Sequence, residues 1–471
     1  MVEFRAETLF IAAMKTTTLI PLLKAGTPAA RTAIAKLATR LSALEHIDHA
    51  AFRARTKAAF GRELRPDQVV EKILADVRAD GDRALFHYAQ KLDGVKLNPK
   101  TLKVTLAERH AAYQRTDKIV RDALELSAAR VAEYQGRLMP AKVPAEATKR
   151  GPAGVKCGMR WDPLRRAGLY VPAGTAPLFS SVPMLAVPAQ VAGVKEIAIA
   201  TPCNKNGAVN DGILCACEIL GVTEIYKLGG VQAIGALAFG TKSVPAVDKI
   251  AGPGNLFVML AKRAVFGHVD IDMLAGPSEV LVIADESANP AYVAADLLAQ
   301  AEHDVLASCV LLTDSARVAE QVREELGRQL ETLPRKEIAA TSLRDWGALI
   351  VTRDLAQAVE IGNALAPEHL EIMTAKPQTL APKLTTAGAL FLGAHATEPL
   401  GDYIAGPSHV LPTGGTARAF SGVSVYSFLR RTSIIEADAD GLAALADATA
   451  ALAEAESLIA HQRAVLIRSK Q

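Results

Sequence analysis

Short apolar runs that alternate with helical segments constrain the fold of the second half of this chain most strongly. Four such runs occur, SEVLVIAD, SCVLLTD, ALIVT and ALFLG, and helical patterns such as PAYVAADLLAQAEH and TRDLAQAVEIGNAL separate them. Apolar runs without a polar face are typical of strands that are buried on both sides. The alternation therefore predicts a parallel sheet with helices on its faces.

A second series of the same kind lies earlier in the chain, after Leu169. The strings AGLYVPAG, EIAIATP and VDKIAGPG each predict a buried strand, and a helical pattern around Pro183 to Val194 follows the first of them. A weak repeat supports this reading, because Gly193–Ile197 returns in similar form as Gly221–Ile225, a spacing that suits one helix and one strand. We therefore expect two parallel sheets.

The remaining segments are predicted to be helical, both in the first ~165 residues and in the alanine-rich stretch from Ala437 onward. The expected fold is α/β, with two Rossmann-like parallel-sheet domains and small helical regions at the N and C termini. The boundaries that we predict are a helical arm at 1–65, a first α/β domain at 66–169 and 278–423, a second α/β domain at 170–277, and a helical region at 424–471.

Composition excludes several classes of function. The net charge is only +3 and aromatic residues make up 5%, so nucleic-acid binding has little support. No run reaches the ~20 apolar residues that span a bilayer. The five cysteines are an odd number and widely scattered, which argues against a disulfide framework and favours a reducing, cytoplasmic location.

The usual nucleotide signatures are missing. No G-x-G-x-x-G string follows a predicted strand, and GALAFGTKS resembles a P-loop but has Thr241 where the lysine belongs. We interpret that string as a helix end and turn. Glycine-rich strand ends remain at Gly229-Gly230, Gly252-Pro253-Gly254 and Gly276-Pro277, where a ligand could approach the backbone.

Polar clusters in apolar surroundings offer groups that a zinc ion or an acid–base reaction uses. They are Gln300 with His303, Asp402 with His409, Glu368 with His369, and Glu456 with His461. None is an H-E-x-x-H motif, and each also has a plain structural interpretation as a helix face or cap. On one regular helix Glu456 and His461 would point about 140° apart, which argues against joint action unless the helix bends or a ligand lies between them.

Taken together, the strings identify a resemblance to the histidinol dehydrogenase family. DMLAGPSEVLVIAD, AQAEHD, APEHLEI, GDYIAGPSHVLPT and AEAESLIAH are similar to that family, and AGLYVPAGTAPL, GGVQAIGALAFGT and VDKIAGPGN match it in the same order. The resemblance runs from about Arg65 to the C terminus. The first ~45 residues have no counterpart, Ala173 replaces a common glycine, and AGPSH replaces the commoner SGTNH.

The resemblance implies a metal site shared between subunits. In that family zinc is held by a glutamine, two histidines and an aspartate, which implies Gln300, His303, Asp402 and His461 here, with one Zn²⁺ per subunit. The terminal helix is exchanged in a homodimer, so His461 is expected to reach the partner's site. The implied substrate contacts are these four ligands with Ser278, His369, His409 and Glu456, and the implied NAD contacts are Tyr170, Gln232 and Asn255.

The resemblance also implies the reaction, the oxidation of L-histidinol to L-histidine through a bound aldehyde with two NAD⁺, which completes histidine biosynthesis. A histidine suits removal of the hydroxyl proton because its pKa lies near working pH, and His369 is the candidate. Glu368 is the candidate for activating the water that adds to the aldehyde. Zinc would bind the imidazole and amino nitrogens of the substrate.

Three alternatives remain open at this point. A paralogue that oxidises another polar alcohol, such as a sulfonated diol, would not turn over histidinol. A zinc hydrolase would act without NAD⁺ and keep an open zinc position. A binding protein that keeps the fold would show no turnover at all.

Overall fold

A computed structural model describes residues 19–40, 50–147, 151–173 and 177–469 of the chain. Its strands are β1 (Leu22–Lys24), β2 (Val143–Ala147), β3 (Val155–Pro163), β4 (Arg166–Tyr170), β5 (Glu196–Ala200), β6 (Glu224–Tyr226), β7 (Lys249–Ala251), β8 (Asp270–Ile271), β9 (Glu279–Ala284), β10 (Ser308–Thr313), β11 (Gly347–Val351), β12 (His369–Met373), β13 (Ala389–Leu392) and β14 (Leu429–Ala437).

The helices in the same part of the chain are α1 (Pro28–Ala38), α2 (Ala50–Phe60), α3 (Pro66–Asp80), α4 (Asp82–Tyr88), α5 (Leu106–Arg115), α6 (Lys118–Arg137), α7 (Ser181–Ala192), α8 (Asp211–Ile219), α9 (Gly230–Phe239), α10 (Leu256–Val265), α11 (Pro290–Ala301), α12 (Ala316–Leu330), α13 (Lys336–Trp346), α14 (Leu355–Leu365), α15 (Pro377–Leu380), α16 (Glu398–Tyr403), α17 (Ala439–Ala455) and α18 (Ile459–Ser469). A π-helical turn at Ala89–Asp93 follows α4. No helix among these residues is both long and apolar enough to cross a bilayer.

Two parallel sheets organise the fold, as predicted. The larger has six strands in the order β1-β11-β10-β9-β12-β13, and the smaller has five in the order β6-β5-β4-β7-β8. Strands β9 and β10 are buried along their whole length, as expected for strands covered by helices on both faces. Helix α9 ends at Phe239 and Gly240 follows with φ 71°, so the string GALAFGTKS is a helix end and turn, also as predicted.

The helices between residues 66 and 137 pack on the five-stranded sheet. Val70, Ile73 and Val77 of α3 share one apolar core with Leu237 of α9, and Leu124 of α6 lies in the core on the other side of that sheet. The predicted boundaries group 66–169 with 278–423 instead. The domain boundaries stay a prediction. The contacts of α3 and α6 place these helices against the five-stranded sheet.

The antiparallel sheet β14-β3-β2 was not predicted. It pairs Val155–Pro163 with Leu429–Ala437, segments that lie far apart in the chain, and most of its residues are exposed or only half-buried. Strands of this kind lack the continuous apolar signal that marks the two buried sheets. The N-terminal arm also holds more than helix, because β1 pairs with β11 as an edge strand.

Candidate active site

The predicted catalytic pair lies where two neighbouring parallel strands begin. Glu368 and His369 stand at the start of β12, and Ser278 and Glu279 stand at the start of the adjacent strand β9. Parallel strands begin at one edge of a sheet, so the pair lies at the amino edge of the six-stranded sheet. Ligands of open α/β sheets usually bind at the opposite, carboxyl edge, so this site departs from the general rule.

Glu279 holds both members of the pair through its backbone. Its N–H donates to Glu368 Oε2 at 2.9 Å, and its carbonyl oxygen lies 3.0 Å from His369 Nδ1. A carbonyl oxygen only accepts, so Nδ1 carries the proton in that contact and the neutral ring keeps its lone pair on Nε2. His369 Nε2 is buried without a hydrogen-bond partner among the described residues and lies 3.6 Å from Asp402 Oδ1.

Three further acids and bases form a cluster beside this pair. Ligand atoms of His303, Glu398 and Asp402 all lie within 4.8 Å of one another. His303 follows the last turn of α11, whereas Glu398 and Asp402 lie one turn apart on α16. A convergence of one imidazole and two carboxylates is a donor set that suits a divalent cation.

Gln300 adds an unusual group to the same region. It lies in the last turn of α11, three residues before His303, and its side chain is completely buried. Neither Oε1 nor Nε2 has a hydrogen-bond partner among the described residues. Buried amides are nearly always hydrogen-bonded, so this orphaned group fits a ligand to a metal ion.

Burial and the neighbouring charged groups together shift the pKa values of the site residues. Burial raises the pKa of Glu368 to about 7 and that of Glu398 to about 8. Burial alone would lower the pKa of His369, but the carboxylates of Glu368, Glu398 and Asp402 raise it well above its ordinary value. Burial lowers the pKa of His303, which favours the neutral ring that metals bind.

His409 lies beside Asp402 and connects the segment after α16 to helix α7. Its Nδ1 lies 2.8 Å from the carbonyl oxygen of Asp402, and its Nε2 lies 3.0 Å from Ser181 Oγ at the start of α7. Ser408 Oγ also donates to the carbonyl oxygen of Met184 at 2.9 Å. The segment that runs from Asp402 at the end of α16 to His409 therefore meets α7, the helix that follows β4.

The predicted NAD contacts lie at the carboxyl edge of the five-stranded sheet. Tyr170 ends β4, Gln232 lies in the first turn of α9 after β6, and Asn255 precedes α10 after β7. The Tyr170 hydroxyl accepts from the Gly230 N–H at 3.1 Å. Gln232 Nε2 donates to Asp93 Oδ2 at 2.8 Å, and burial raises the pKa of Asp93 to about 6. Asn255 is exposed and caps α10.

Glu456 and His461 do not share one helix, which corrects the geometry assumed from the sequence. Helix α17 ends at Ala455 and α18 begins at Ile459, with Ser457 at φ 61° in the turn between them. Both side chains are exposed, and His461 is not part of the cluster formed by His303, Glu398 and Asp402. The 140° separation of a straight helix therefore does not apply.

Sequence reasoning missed three residues that the structure brings to this region. Glu398 lies four residues before Asp402, a spacing that puts both on one helical face and could have been found in TEPLGDY. Glu279 lay inside a predicted strand and Ser181 next to a predicted helix. Neither of these two carried a signal of its own, because each matters through contacts with distant segments.

The comparisons with known proteins agree with one another. The family model described as histidinol dehydrogenase matches residues 60–469. The histidinol dehydrogenase of Geobacillus kaustophilus is 51% identical over 401 residues, covering 85% of this chain and 93% of the relative, and that of Moorella thermoacetica is 50% identical over 401 residues, covering 85% and 94%. A crystal structure of histidinol dehydrogenase from Elizabethkingia anophelis matches with a TM-score of 0.86 and 34% identity, covering 96% of this chain and 98% of that one. This chain belongs to the histidinol dehydrogenase family.

Proposed function

We propose that the protein oxidises L-histidinol to L-histidine through L-histidinaldehyde, with two NAD⁺ as successive hydride acceptors. The observation that carries this proposal is a buried acid and histidine, Glu368 and His369, beside the cluster of His303, Glu398 and Asp402. Membership of the family supplies the substrate and the cofactor, and the local geometry supplies groups that can carry out both oxidations.

A zinc ion would be held by Gln300, His303 and Asp402, together with His461 of the partner subunit. The orphaned amide of Gln300 and the lowered pKa of His303 support this assignment, because a metal would satisfy the first and needs the neutral form of the second. When bound, Zn²⁺ acts as a Lewis acid that holds the imidazole and amino nitrogens of the substrate. Glu398 faces the same space and is available to the substrate's amino group or to the ion.

His369 acts in the first oxidation by taking the hydroxyl proton as hydride leaves the carbinol carbon. Its Nδ1 is engaged by the Glu279 carbonyl, so Nε2 is the atom that takes up the proton. The neighbouring carboxylates raise the pKa of His369, so the ring must lose its Nε2 proton before it can act as this base, and a cation bound beside Asp402 would favour that neutral form. Nε2 is buried and has no hydrogen-bond partner among the described residues, which leaves it available to a substrate hydroxyl. The substrate contacts at Ser278, His409 and Glu456 are proposals that rest on the family's motifs.

Glu368 acts in the second oxidation, in which water must add to the aldehyde before the second hydride leaves. Burial raises the pKa of Glu368 to about 7, close to working pH, where a carboxylate is an effective general base. Its Oε2 is fixed by the Glu279 N–H, so the group is preoriented rather than free to rotate.

NAD⁺ would bind at Tyr170, Gln232 and Asn255, along the carboxyl edge of the five-stranded sheet, which is where such sheets bind nucleotides. The segment that carries Asp402 and His409 contacts α7, the helix that follows β4, which supports a cofactor position near the catalytic pair. That proximity suits direct hydride transfer between substrate and cofactor.

A homodimer with shared active sites would bring His461 and Glu456 into the partner's cleft. Both side chains are exposed in the single chain, and the C-terminal hairpin that carries them exposes Leu452 and Ile467 as well. Exposed apolar side chains on one hairpin suit a protein interface. A cytoplasmic location also stays a proposal, based on five cysteines that are all free.

The test of the function is an NADH absorbance assay with L-histidinol, before and after chelation and zinc restoration. The proposal expects two NADH per histidinol, loss of activity on chelation and recovery with Zn²⁺. Turnover of another alcohol but not histidinol would favour the paralogue. Product formation without NAD⁺ would favour the hydrolase, and no turnover of either kind would contradict the proposal.

Shared sites can be tested by mixing two inactive variants. A mixed dimer of Gln300→Ala and His461→Ala contains one site with both ligands intact, so mixing after dissociation should restore part of the activity. Mixing Gln300→Ala with Asp402→Asn is the matched control, because neither site of that hybrid is complete. Failure of the first pair to recover activity, with hybrids demonstrated by mass, would refute the exchange.

A further inference from the structure

Arg40 is an almost completely buried cation two residues after α1, within the predicted N-terminal arm and outside the residues 60–469 that the family model matches. The arm contacts the body of the molecule both before α1 and from α1 itself. Strand β1 pairs with β11 before the helix, and the Lys36 ammonium lies 4.4 Å from the centre of the Trp346 ring. Charged side chains are rarely buried without a partner, so a buried guanidinium outside the matched part of the sequence indicates specific partners in the structure.

The partners of Arg40 are the segments that enter β9 and β10. Its guanidinium donates to the carbonyl oxygens of Leu306 at 3.0 Å and Ser278 at 3.3 Å, and also to that of Pro277. It forms an ion pair with Glu279 Oε1 at 3.0 Å, with the Arg40 side chain 1% exposed. The planar fork of arginine suits several acceptors at once, which the single ammonium of lysine cannot match.

Glu279 is the residue that connects this cation to the catalytic pair. Its backbone N–H and carbonyl engage Glu368 and His369, as described above. Its carboxylate accepts from the Gly414 N–H at 3.0 Å, in the loop that follows His409, and lies 3.4 Å from the Glu368 N–H. One residue therefore touches Glu368, His369 and the loop, and Arg40 supplies the opposite charge to its buried carboxylate.

We propose that Arg40 is a positioning residue that acts through Glu279 to hold Glu368 and His369 in their reactive orientation. The expected fall in kcat rests on the proposed function. The expected displacement of Glu279 does not. Without Arg40, the buried Glu279 carboxylate loses its ion-pair partner and stays beside the Glu368 carboxylate, with His369 as the remaining group of opposite charge nearby. Relief requires Glu279 to move, and its backbone carries the hydrogen bonds that fix both catalytic groups.

The kinetic test compares Arg40→Met and Arg40→Lys with the wild-type holoenzyme, using histidinol and histidinaldehyde as substrates. Arg40→Met should lower kcat for both substrates by roughly 10- to 100-fold, the cost of misplacing a catalytic group by a fraction of an ångström to an ångström, with KM for NAD⁺ unchanged. Arg40→Lys keeps the charge but not the fork, so a smaller loss is expected. Arg166→Met is the matched control, because Arg166 is also a buried cation, paired with Glu224 and Glu196 at the start of β4, the central strand of the other sheet.

A double variant separates positioning from general destabilisation. Adding Glu279→Gln to Arg40→Met removes the uncompensated charge but keeps the backbone contacts, so kcat should recover towards that of Glu279→Gln alone. Wild-type kcat per folded molecule in Arg40→Met, or a loss no larger than in Arg166→Met, would overturn the proposal. The same holds if the double variant shows no recovery. If Arg40→Met does not fold, kcat is measured for Arg40→Lys and for the double variant instead. Wild-type kcat per folded molecule in Arg40→Lys would then overturn the proposal.

Hydrogen exchange supplies a readout that does not depend on turnover. The Glu279 N–H is bonded to Glu368 Oε2, so peptides that cover β9 should exchange faster in Arg40→Met, while those of β4 should not. Unchanged protection of β9 would refute the structural claim. If the wild-type protein failed to oxidise histidinol, the proposed function would fall, and this exchange result would still decide the role of Arg40.

Discussion

Replacing Glu368 by glutamine separates the two oxidations more cleanly than any other single change. Glutamine keeps an oxygen that can accept from the Glu279 N–H but cannot take up a proton. Oxidation of histidinol to the aldehyde, for which His369 is the base, should be slowed only modestly. Oxidation of histidinaldehyde should fall by about 10²- to 10⁴-fold, the usual contribution of a general base, or about 3–5 kcal/mol of activation free energy.

The pH dependence gives a second signature of the same group. Burial raises the pKa of Glu368 to about 7, so the wild-type rate of aldehyde oxidation should decline as pH falls below about 7 and the base is protonated. Glu368→Gln should lack that inflection. A raised folded-state pKa also means that wild-type stability is lost as pH rises from about 4.5 through 7, so above pH 7 the variant should be more stable by up to about 3 kcal/mol.

The matched control is Glu371→Gln, three residues further along the chain and on strand β12. Burial and the carboxylates of Asp296 and Glu398 raise the pKa of Glu371 well above its ordinary value, so an uncharged side chain suits this position already. Its contact with the Glu398 N–H at 2.9 Å can be kept by an amide oxygen. Stopped-flow NADH absorbance with each substrate measures both steps. Wild-type aldehyde oxidation by Glu368→Gln, or equal losses in both steps, would refute the assignment.

Three further predictions follow from the described contacts. Gln300→Ala should lower zinc content after dialysis and activity in parallel, measured by elemental analysis and NADH absorbance, and unchanged zinc content would contradict the ligand assignment. Asp93→Asn should gain stability over wild type as pH rises from about 4 to 6, by up to about 3 kcal/mol, because burial raises the pKa of Asp93 to about 6; a pH-independent difference in denaturant midpoints would refute this. Ala366→Gly should stabilise the protein by about 1 kcal/mol, because Ala366 has φ 48° just before Pro367 and Glu368, and a lower denaturant midpoint would contradict that reasoning.

The sequence predicted the elements that carry a continuous apolar signal, and long family motifs indicated candidate site residues. Both parallel sheets followed from runs such as SEVLVIAD, and the structure places His303, Glu368, His369 and Asp402 in one region although they span a hundred residues. Convergence of this kind could be inferred from the motifs but not from spacing, because no short-range pattern relates residues on different strands.

The elements that were missed are those whose stability comes from distant pairing. Strands β3 and β14 are largely exposed and pair with each other across more than half of the chain, so neither shows a local pattern. The turn between α17 and α18 contains neither glycine nor proline, and Ser457 adopts its positive φ in an otherwise helical sequence. Tertiary packing decides such positions, and local propensity does not reveal them.

The sequence lacks the glycine fingerprint of Rossmann domains, and in the structure some N–H groups at the starts of α9 and α10 already have hydrogen-bond partners. In a Rossmann domain the pyrophosphate is bound by free N–H groups at a helix N terminus. At α10 two of those groups are already satisfied, because the side chain of Asn255 accepts from the N–H groups of Phe257 and Val258 at 3.1 and 3.2 Å. At α9 the Gly230 N–H donates to the Tyr170 hydroxyl. A cofactor at this edge would therefore be held mainly by side chains rather than by a helix terminus, and its affinity should depend on Tyr170, Gln232 and Asn255 individually.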